Sequence, residues 1–273
     1  MACVAPIYVR KYALHVPCGK CGACIKRNIS DWVVRLGVEW KNSDACYFVT
    51  LTYEEDPLQL YKYDVQNFFK RCRKVGFKFS YFALGDYGDT YGRPHYHVLF
   101  FSKGYFVSDY LWSLWISGSQ IRRRGFVSVS SVTMGRIAYV VRYGILAKLD
   151  WDRSDQRVRP FFLMSKRPAL GSGYLSPAMR FYHRNGDKWY FSDNKWKHAL
   201  PRYYRDKLFH DYERRSHADS YLSVADEKKA LELAELAVHH SNPDWSWHER
   251  RLVSSKNFLD KLRFQKMLKN QNL

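Results

Sequence analysis

The run Arg93-Pro94-His95-Tyr96-His97-Val98-Leu99-Phe100-Phe101 sets two imidazoles at alternate positions of an apolar, aromatic segment. In a strand, side chains two apart face the same way, so His95 and His97 project together, with Tyr96 and Val98 opposite. Paired imidazoles can ligate a divalent ion and leave positions open for substrate. Asp86, at the end of the preceding strand, is the natural third ligand; Asp89 and Glu55 are substitutes. Two histidines and a carboxylate suit Mn²⁺, Mg²⁺ or another borderline ion. The competing reading is two half-buried strand histidines with hydrogen-bond partners.

A second constellation lies in Met134 to Lys148 (MGRIAYVVRYGILAK), which reads as a helix capped by Thr133. Tyr139 and Tyr143 are four apart and share a face, with Arg142 and Lys148 nearby. A tyrosine hydroxyl, with a reference pKa of about 10, is a poor nucleophile. A metal polarising a phosphate, or adjacent cations, changes that. Attack on phosphorus gives a 5′-phosphotyrosine and frees a 3′-hydroxyl, and a second tyrosine on the same face permits a second transfer. The competing reading is an aromatic stripe packed on a sheet.

Cys18-x₂-Cys21-x₂-Cys24, with Cys3 upstream, offers four thiolates to one structural Zn²⁺, with His15 as a fallback ligand. An iron–sulfur cluster and unligated thiols are the alternatives. Residues 1–10 lack the apolar stretch of a secretory signal, which favours metal over disulfides. No apolar run approaches the ~20 residues of a membrane helix. A cytoplasmic protein without membrane attachment is the expectation.

Lys and Arg outnumber Asp and Glu by 45 to 26, a formal charge of +19. That excess suggests a polyanionic partner. Nucleic acid fits best, because 21 Tyr, 17 Phe and 9 Trp can stack on unpaired bases. Arg122-Arg123-Arg124 is a candidate phosphate contact, and Arg93 and Arg142 lie within the two constellations above. The basic stretch from Glu249 to Lys269 could track backbone or simply be exposed.

The elements that must position these groups follow from periodicity. A helix is expected from Ile29 to Trp40, a strand over Cys46–Tyr53, a helix over Tyr63–Lys74 with Val65, Phe68, Phe69 and Cys72 inward, and a strand over Phe79–Gly85. Strand His95–Phe101, helix Ser108–Trp115 and strand Phe126–Ser130 come next, then the tyrosine helix. This order predicts an α+β fold, an antiparallel sheet with helices packed on one face, of ferredoxin-like character. Three regions are expected: a Cys-rich segment with a helix (1–45), the core (46–150), and a loop-rich then helical C-terminal region (151–273). Helices are expected there over Tyr203–Arg215, Asp226–His240 and Phe258–Leu268.

Taken together, the motifs resemble the HUH-endonuclease superfamily, and more closely the replication initiators of microviruses, of the gokushovirus-like branch. The resemblance rests on Val16-Pro17-Cys18-Gly19-Lys20-Cys21-x-x-Cys24, with Trp32 and Arg35 following, and on Phe48-Val49-Thr50-Leu51-Thr52-Tyr53. It continues in Gly85-Asp86-Tyr87-Gly88-Asp89 through His97, and in Ala138-Tyr139-Val140-Val141-Arg142-Tyr143. With weaker similarity beyond, it covers roughly residues 1 to 210. It implies metal binding by His95 and His97, and a DNA link on Tyr139 or Tyr143. It further implies nicking and rejoining of single-stranded DNA at a viral origin in rolling-circle replication, in a bacterial host's cytoplasm. Host helicase and polymerase would then be partners. Two positions depart from the pattern. Asp86 stands where the family usually has Glu, and Leu146 where it tends to have Lys; the nearest lysine is Lys148. A non-catalytic zinc-containing nucleic-acid-binding protein is the rival from another class, and a transposase or relaxase the same-chemistry alternative.

Overall fold

The structure, a computed structural model, describes residues 3–12, 14–88, 91–104, 109–117, 124–193 and 197–270. Its contacts form two compact units: one of Trp32–Tyr174 with Lys269–Leu273, the other of Met1–Asp31 with Leu175–Leu268.

The first unit is built on a five-stranded sheet. Its strands are β3 (Ala45–Tyr53), β4 (Phe79–Tyr87), β5 (Pro94–Ser102), β6 (Arg124–Ser131) and β7 (Phe161–Met164), after the β1 (Ile7–Val9) and β2 (Leu14–Val16) hairpin of the other unit. The order is β6-β3-β5-β4-β7, with every neighbouring pair antiparallel. Helices α2 (Lys62–Lys74) and α3 (Asp109–Ile116) make the two crossings, from β3 to β4 and from β5 to β6. The β3-to-β6 portion is thus the βαββαβ ferredoxin-like arrangement, with β7 added outside β4.

Strand alternation divides the side chains between two faces. Val49, Leu51, Ala83, Val98 and Phe100 pack against Val65, Phe68, Phe69 and Cys72 of α2 and Leu111 and Trp115 of α3. The four inward positions expected on α2 are all buried. The α+β antiparallel class holds, and helices cover both faces. On the second face Trp32 of α1 (Gly22–Lys41) meets Phe82 at 5.1 Å between ring centroids. There too, α4 (Met134–Leu149) lies against β4 and β7. The approach of α4 is close: a Cβ on Gly144 would stand 2.4 Å from the Phe162 ring and 2.7 Å from Leu84 Cδ1. Thr133 caps α4 as expected, accepting from the Arg136 N–H.

Several boundaries differ from the sequence reading. Strand β7 escapes it because four apolar residues between Pro160 and Pro168 are too short to show a period. Helix α1 starts at Gly22, seven residues early, since its first turns carry cysteines and charges rather than an apolar stripe. The expected Tyr203–Arg215 helix breaks at extended Phe209, giving α6 (Arg202–Leu208) and α7 (Asp211–Ala237). Glu213 restarts the second by accepting from the His210 N–H at 2.5 Å. The expected Asp226–His240 and Phe258–Leu268 helices fall in α7 and in α8 (Pro243–Asn270). The remaining elements, α5 (Pro177–Asn185), β8 (Tyr190–Ser192) and β9 (Lys197–Ala199), lie in the second unit with α6 to α8.

Candidate active site

On β5, the residue between the two histidines anchors the strand from behind. The Tyr96 hydroxyl receives the Tyr61 N–H at 2.8 Å and lies 2.8 Å from the Tyr53 hydroxyl, which donates to Asp64 at 2.9 Å. Asp64 is buried, so this network satisfies a carboxylate that would otherwise be costly. Desolvation, foremost, raises both phenols, Tyr96 to about 12. Neither is a nucleophile candidate; both hold β5 in register.

That register turns His95 and His97 to the α4 face, with ring centroids 4.7 Å apart. His95 Nδ1 lies 3.2 Å from the Arg93 carbonyl, so that nitrogen carries the proton and Nε2 is the nitrogen able to ligate. His97 Nδ1 lies 3.1 Å from Thr50 Oγ1 on β3, its cross-strand neighbour. Desolvation, and then the neighbouring His95, push His97 down to about 3. It is therefore a neutral imidazole at neutral pH, the form a metal requires. Phe48 stacks on its other side at 5.5 Å.

Asp86 sits in the ladder directly opposite His95, buried and on the same face. The three side chains do not close into a tight cluster. Among the described residues, the cysteine quartet is the one group of at least three His, Cys, Asp or Glu whose ligand atoms lie within 4.8 Å of one another. Glu55 is exposed, and Asp89 lies outside the described residues.

Above the histidines, α4 presents both tyrosines. Their centroids are 5.5 Å apart, and those of Tyr139 and Tyr143 are 6.0 and 6.3 Å from that of His97, edge-on. Tyr139 is half-buried, while Tyr143 is only 5% exposed and its hydroxyl lies 3.5 Å from the Tyr87 carbonyl. Lys148 is nine residues, about two and a half turns, beyond Tyr139 and so on the opposite side of the helix. There its ammonium lies 4.7 Å from the Phe162 ring centre, with its pKa lowered by desolvation, then by Arg159 and Lys62.

The arginines separate. Arg142 is exposed one turn from Tyr139. Arg93 donates to the Tyr53 and Glu54 carbonyls at 3.2 and 3.1 Å, which ties its guanidinium to the end of β3. Arg122 and Arg123 lie outside the described residues; Arg124 opens β6.

Sequence reasoning does not single out Thr50 and Phe126, which the fold brings to the site. A polar Thr50 in an apolar strand is the available signal, since β3 places Phe48 and Thr50 on the face opposite Val49 and Leu51. Phe126, in β6, is 77% exposed. By alternation it shares a face with Ser128, whose cross-strand partner is Thr50.

In the other unit, Cys18 Sγ is 3.9 Å from Cys24 Sγ, and Cys21 Sγ is 3.9 Å from Cys3 Sγ. All six cysteines are free thiols. Desolvation would raise Cys18, but the Lys20 and Cys21 N–H groups outweigh it and hold the thiol near 6; burial pushes Cys24 up to about 12. These four thiols can hold a metal ion. No helix among the described residues is long and apolar enough to cross a membrane.

A βαββαβ sheet carrying a histidine pair beneath a tyrosine pair now stands beside the comparisons with known proteins. Residues 46–148, which span β3 to α4, match the model of the replication-associated protein ORF2 family. The chain is 27% identical over 225 residues to the replication-associated protein ORF4 of Chlamydia phage 1, covering 73% of this chain and 55% of that protein. It is 27% identical over 256 residues to the replication-associated protein VP4 of Bdellovibrio phage phiMH2K, covering 84% and 76%. It is 30% identical over 159 residues to the replication-associated protein ORF2 of Spiroplasma virus 4, covering 47% of each. The matches bear out the resemblance to microvirus replication initiators. The chain spans little more than half the length of the Chlamydia phage relative. No solved structure gives a significant match.

Proposed function

We propose that the chain initiates replication of a phage genome by nicking single-stranded DNA through tyrosine attack and later rejoining it. The observation that carries the reading is the placement of Tyr139 and Tyr143 over the His95–His97 pair. The donor set fits a divalent ion: two imidazoles on one strand face and a buried carboxylate at the adjacent ladder position. His95, His97 and Asp86 would hold Mn²⁺ or Mg²⁺, which when bound draws charge from the non-bridging oxygens of the scissile phosphate.

Tyr139, the more accessible phenol, is the first nucleophile. Its oxygen bonds to phosphorus, the bond from phosphorus to the 3′ oxygen breaks, and the phenolic proton ends on that oxygen. The product is a 5′-phosphotyrosine and a 3′-hydroxyl. Rejoining reverses these steps, and Tyr143 serves the second transfer. Arg142 flanks the pair where a neighbouring phosphate would lie. Lys148, on the far side of α4, takes no part in the step. With this reading goes Zn²⁺ at the cysteine quartet, argued below.

Incubation with single-stranded origin oligonucleotides and Mn²⁺ should give a covalent adduct that peptide mapping places on Tyr139. Failure to form any adduct, across a panel of viral origin sequences, would sink the proposal.

Two further results are expected. Thr50→Val removes the hydroxyl that orients His97, and Mn²⁺ affinity should fall by roughly 10- to 100-fold in calorimetric titration, with Thr50→Ser close to wild type. Equal affinity in Thr50→Val and wild type would remove Thr50 from the site. Phe126 offers a face for an unpaired base beside the histidines. Phe126→Ala should lower single-strand affinity by about 5- to 150-fold, the equivalent of ~1–3 kcal/mol for one stacked base, as read by fluorescence anisotropy.

A further inference from the structure

The cysteine quartet stands apart from the nuclease reading, and its geometry selects one kind of occupant. A zinc ion binds thiolate at about 2.3 Å, so a tetrahedron of four sulfurs has edges of about 3.8 Å. Both sulfur pairs named above, Cys18–Cys24 and Cys21–Cys3, are 3.9 Å apart. A disulfide would need about 2.05 Å. The backbone around the thiols is shaped for thiolate as well. The N–H of Cys18 points to Cys3 Sγ at 3.3 Å, and the N–H groups of Lys20 and Cys21 point to Cys18 Sγ at 3.5 and 3.3 Å. The turn between Cys18 and Cys21 passes through Gly19 at φ +74°, a conformation L side chains rarely adopt.

The quartet also draws together segments distant in sequence. Cys3 precedes β1 and Cys18 follows β2, and the β1–β2 hairpin pairs Ile7 with Val16, which returns the chain to its start. Cys24 lies in the first turn of α1. Between Cys21 and Cys24, the Gly22 N–H donates to Ser255 Oγ of α8 at 2.8 Å. Ser255 is buried, and a Cβ on Gly22 would stand 2.4 Å from its carbonyl oxygen. Farther along the same seam, Lys26 Nζ lies 6.0 Å from the Phe258 ring centre. The seat of α8 is therefore the same turn that carries two of the four thiols.

We propose that Cys3, Cys18, Cys21 and Cys24 bind one tetrahedral Zn²⁺, and that this ion fixes the first turn of α1 as the seat on which Ser255 docks α8. The ion has four protein ligands and no open position, so its role is structural. Metal binding supplies the order that a short hairpin and a helix start lack by themselves. Removing it frees the α1 turn and α8 together.

The full-length chain, purified without chelator, should carry one zinc per chain by mass spectrometry of the metal. Cobalt exchanged for it should show the visible bands of tetrahedral thiolate ligation. Cys18→Ser and Cys24→Ser should lose the metal, and Cys46→Ser should keep it. A metal-free chain with four freely titrating thiols, or an iron–sulfur chromophore, overturns the assignment. Where the serine variants aggregate, the wild-type cobalt spectrum decides. The clamp is read by hydrogen exchange: chelation should raise exchange around Gly22 and Ser255 in step. Ser255→Ala should keep the zinc while losing protection in α8. Unchanged α8 protection after complete zinc removal overturns the clamp. None of these readouts passes through DNA cleavage.

Discussion

Replacing Tyr139 by Phe should abolish the first covalent adduct, by on the order of 10³-fold or more, the scale seen when a nucleophile is removed. Tyr143→Phe should leave that adduct within about tenfold and stop the second transfer instead. The asymmetry follows from accessibility. Both rings stand edge-on to His97 at similar distance, but Tyr143 is 5% exposed, with its hydroxyl near the Tyr87 carbonyl, while Tyr139 is half-buried. The 3.5 Å separation from that carbonyl is at the limit of a hydrogen bond, so losing that bond should cost less than ~1 kcal/mol of stability. Thermal unfolding of both variants should therefore resemble wild type, and lost chemistry cannot be blamed on lost fold. Adduct formation on gels, with origin oligonucleotides labelled at either end, separates the two transfers. If Tyr143→Phe abolishes the first adduct and Tyr139→Phe spares it, the order of attack is reversed. If the double variant still forms an adduct, the tyrosine reading is wrong.

Why these residues are legible in the sequence is a matter of range. The histidine pair follows from the two-residue period of one strand, and the tyrosine pair from the four-residue spacing of one helix. Each needs only a local conformation, and Thr133 capping α4 makes the second secure. What is illegible depends on register between strands. Thr50 is an ordinary strand threonine until β3 pairs with β5 so that it faces His97. Phe126 is an ordinary β6 aromatic until its face proves exposed. The sequence puts Asp86 at a strand end; β4 continues to Tyr87, which sets the carboxylate inside the ladder opposite His95. Lys148 looks close to the tyrosines by number alone, and the helical period carries it to the other side. The cysteines are an intermediate case. Spacing brings Cys18, Cys21 and Cys24 together, but Cys3 joins them only because the β1–β2 hairpin closes. The second helical layer needs the same tertiary information, because α4 is apolar on most of its surface, with eight buried residues.

The histidine pair supports the second large effect. In the double variant His95→Ala, His97→Ala, Mn²⁺ binding and nicking should both be lost, nicking by at least about 100-fold, on the scale of removing one preorganised charge-stabilising group. DNA affinity should change far less. The chain carries +19 formal charges, and contacts to phosphates dominate binding of unpaired strands. A divergence between unaltered anisotropy and absent cleavage is therefore the expected signature. His97 is packed by Phe48 and both tyrosines, so its truncation leaves a gap that the Tyr139 and Tyr143 rings could fall into. His95→Ala alone avoids most of that disturbance, because His95, nearer the start of β5, meets the Arg93 carbonyl and the His97 ring rather than the tyrosine stack. It should still lose most metal affinity, as one imidazole and a carboxylate hold a borderline ion weakly. Asp86→Ala completes the series. A fall in Mn²⁺ affinity there, with the sheet intact by circular dichroism, assigns the carboxylate to the metal, and unchanged affinity confines the site to the two histidines. Nicking that persists unchanged in the double histidine variant would detach the tyrosines from any metal at this position. The sheet would then be a scaffold for α4 alone.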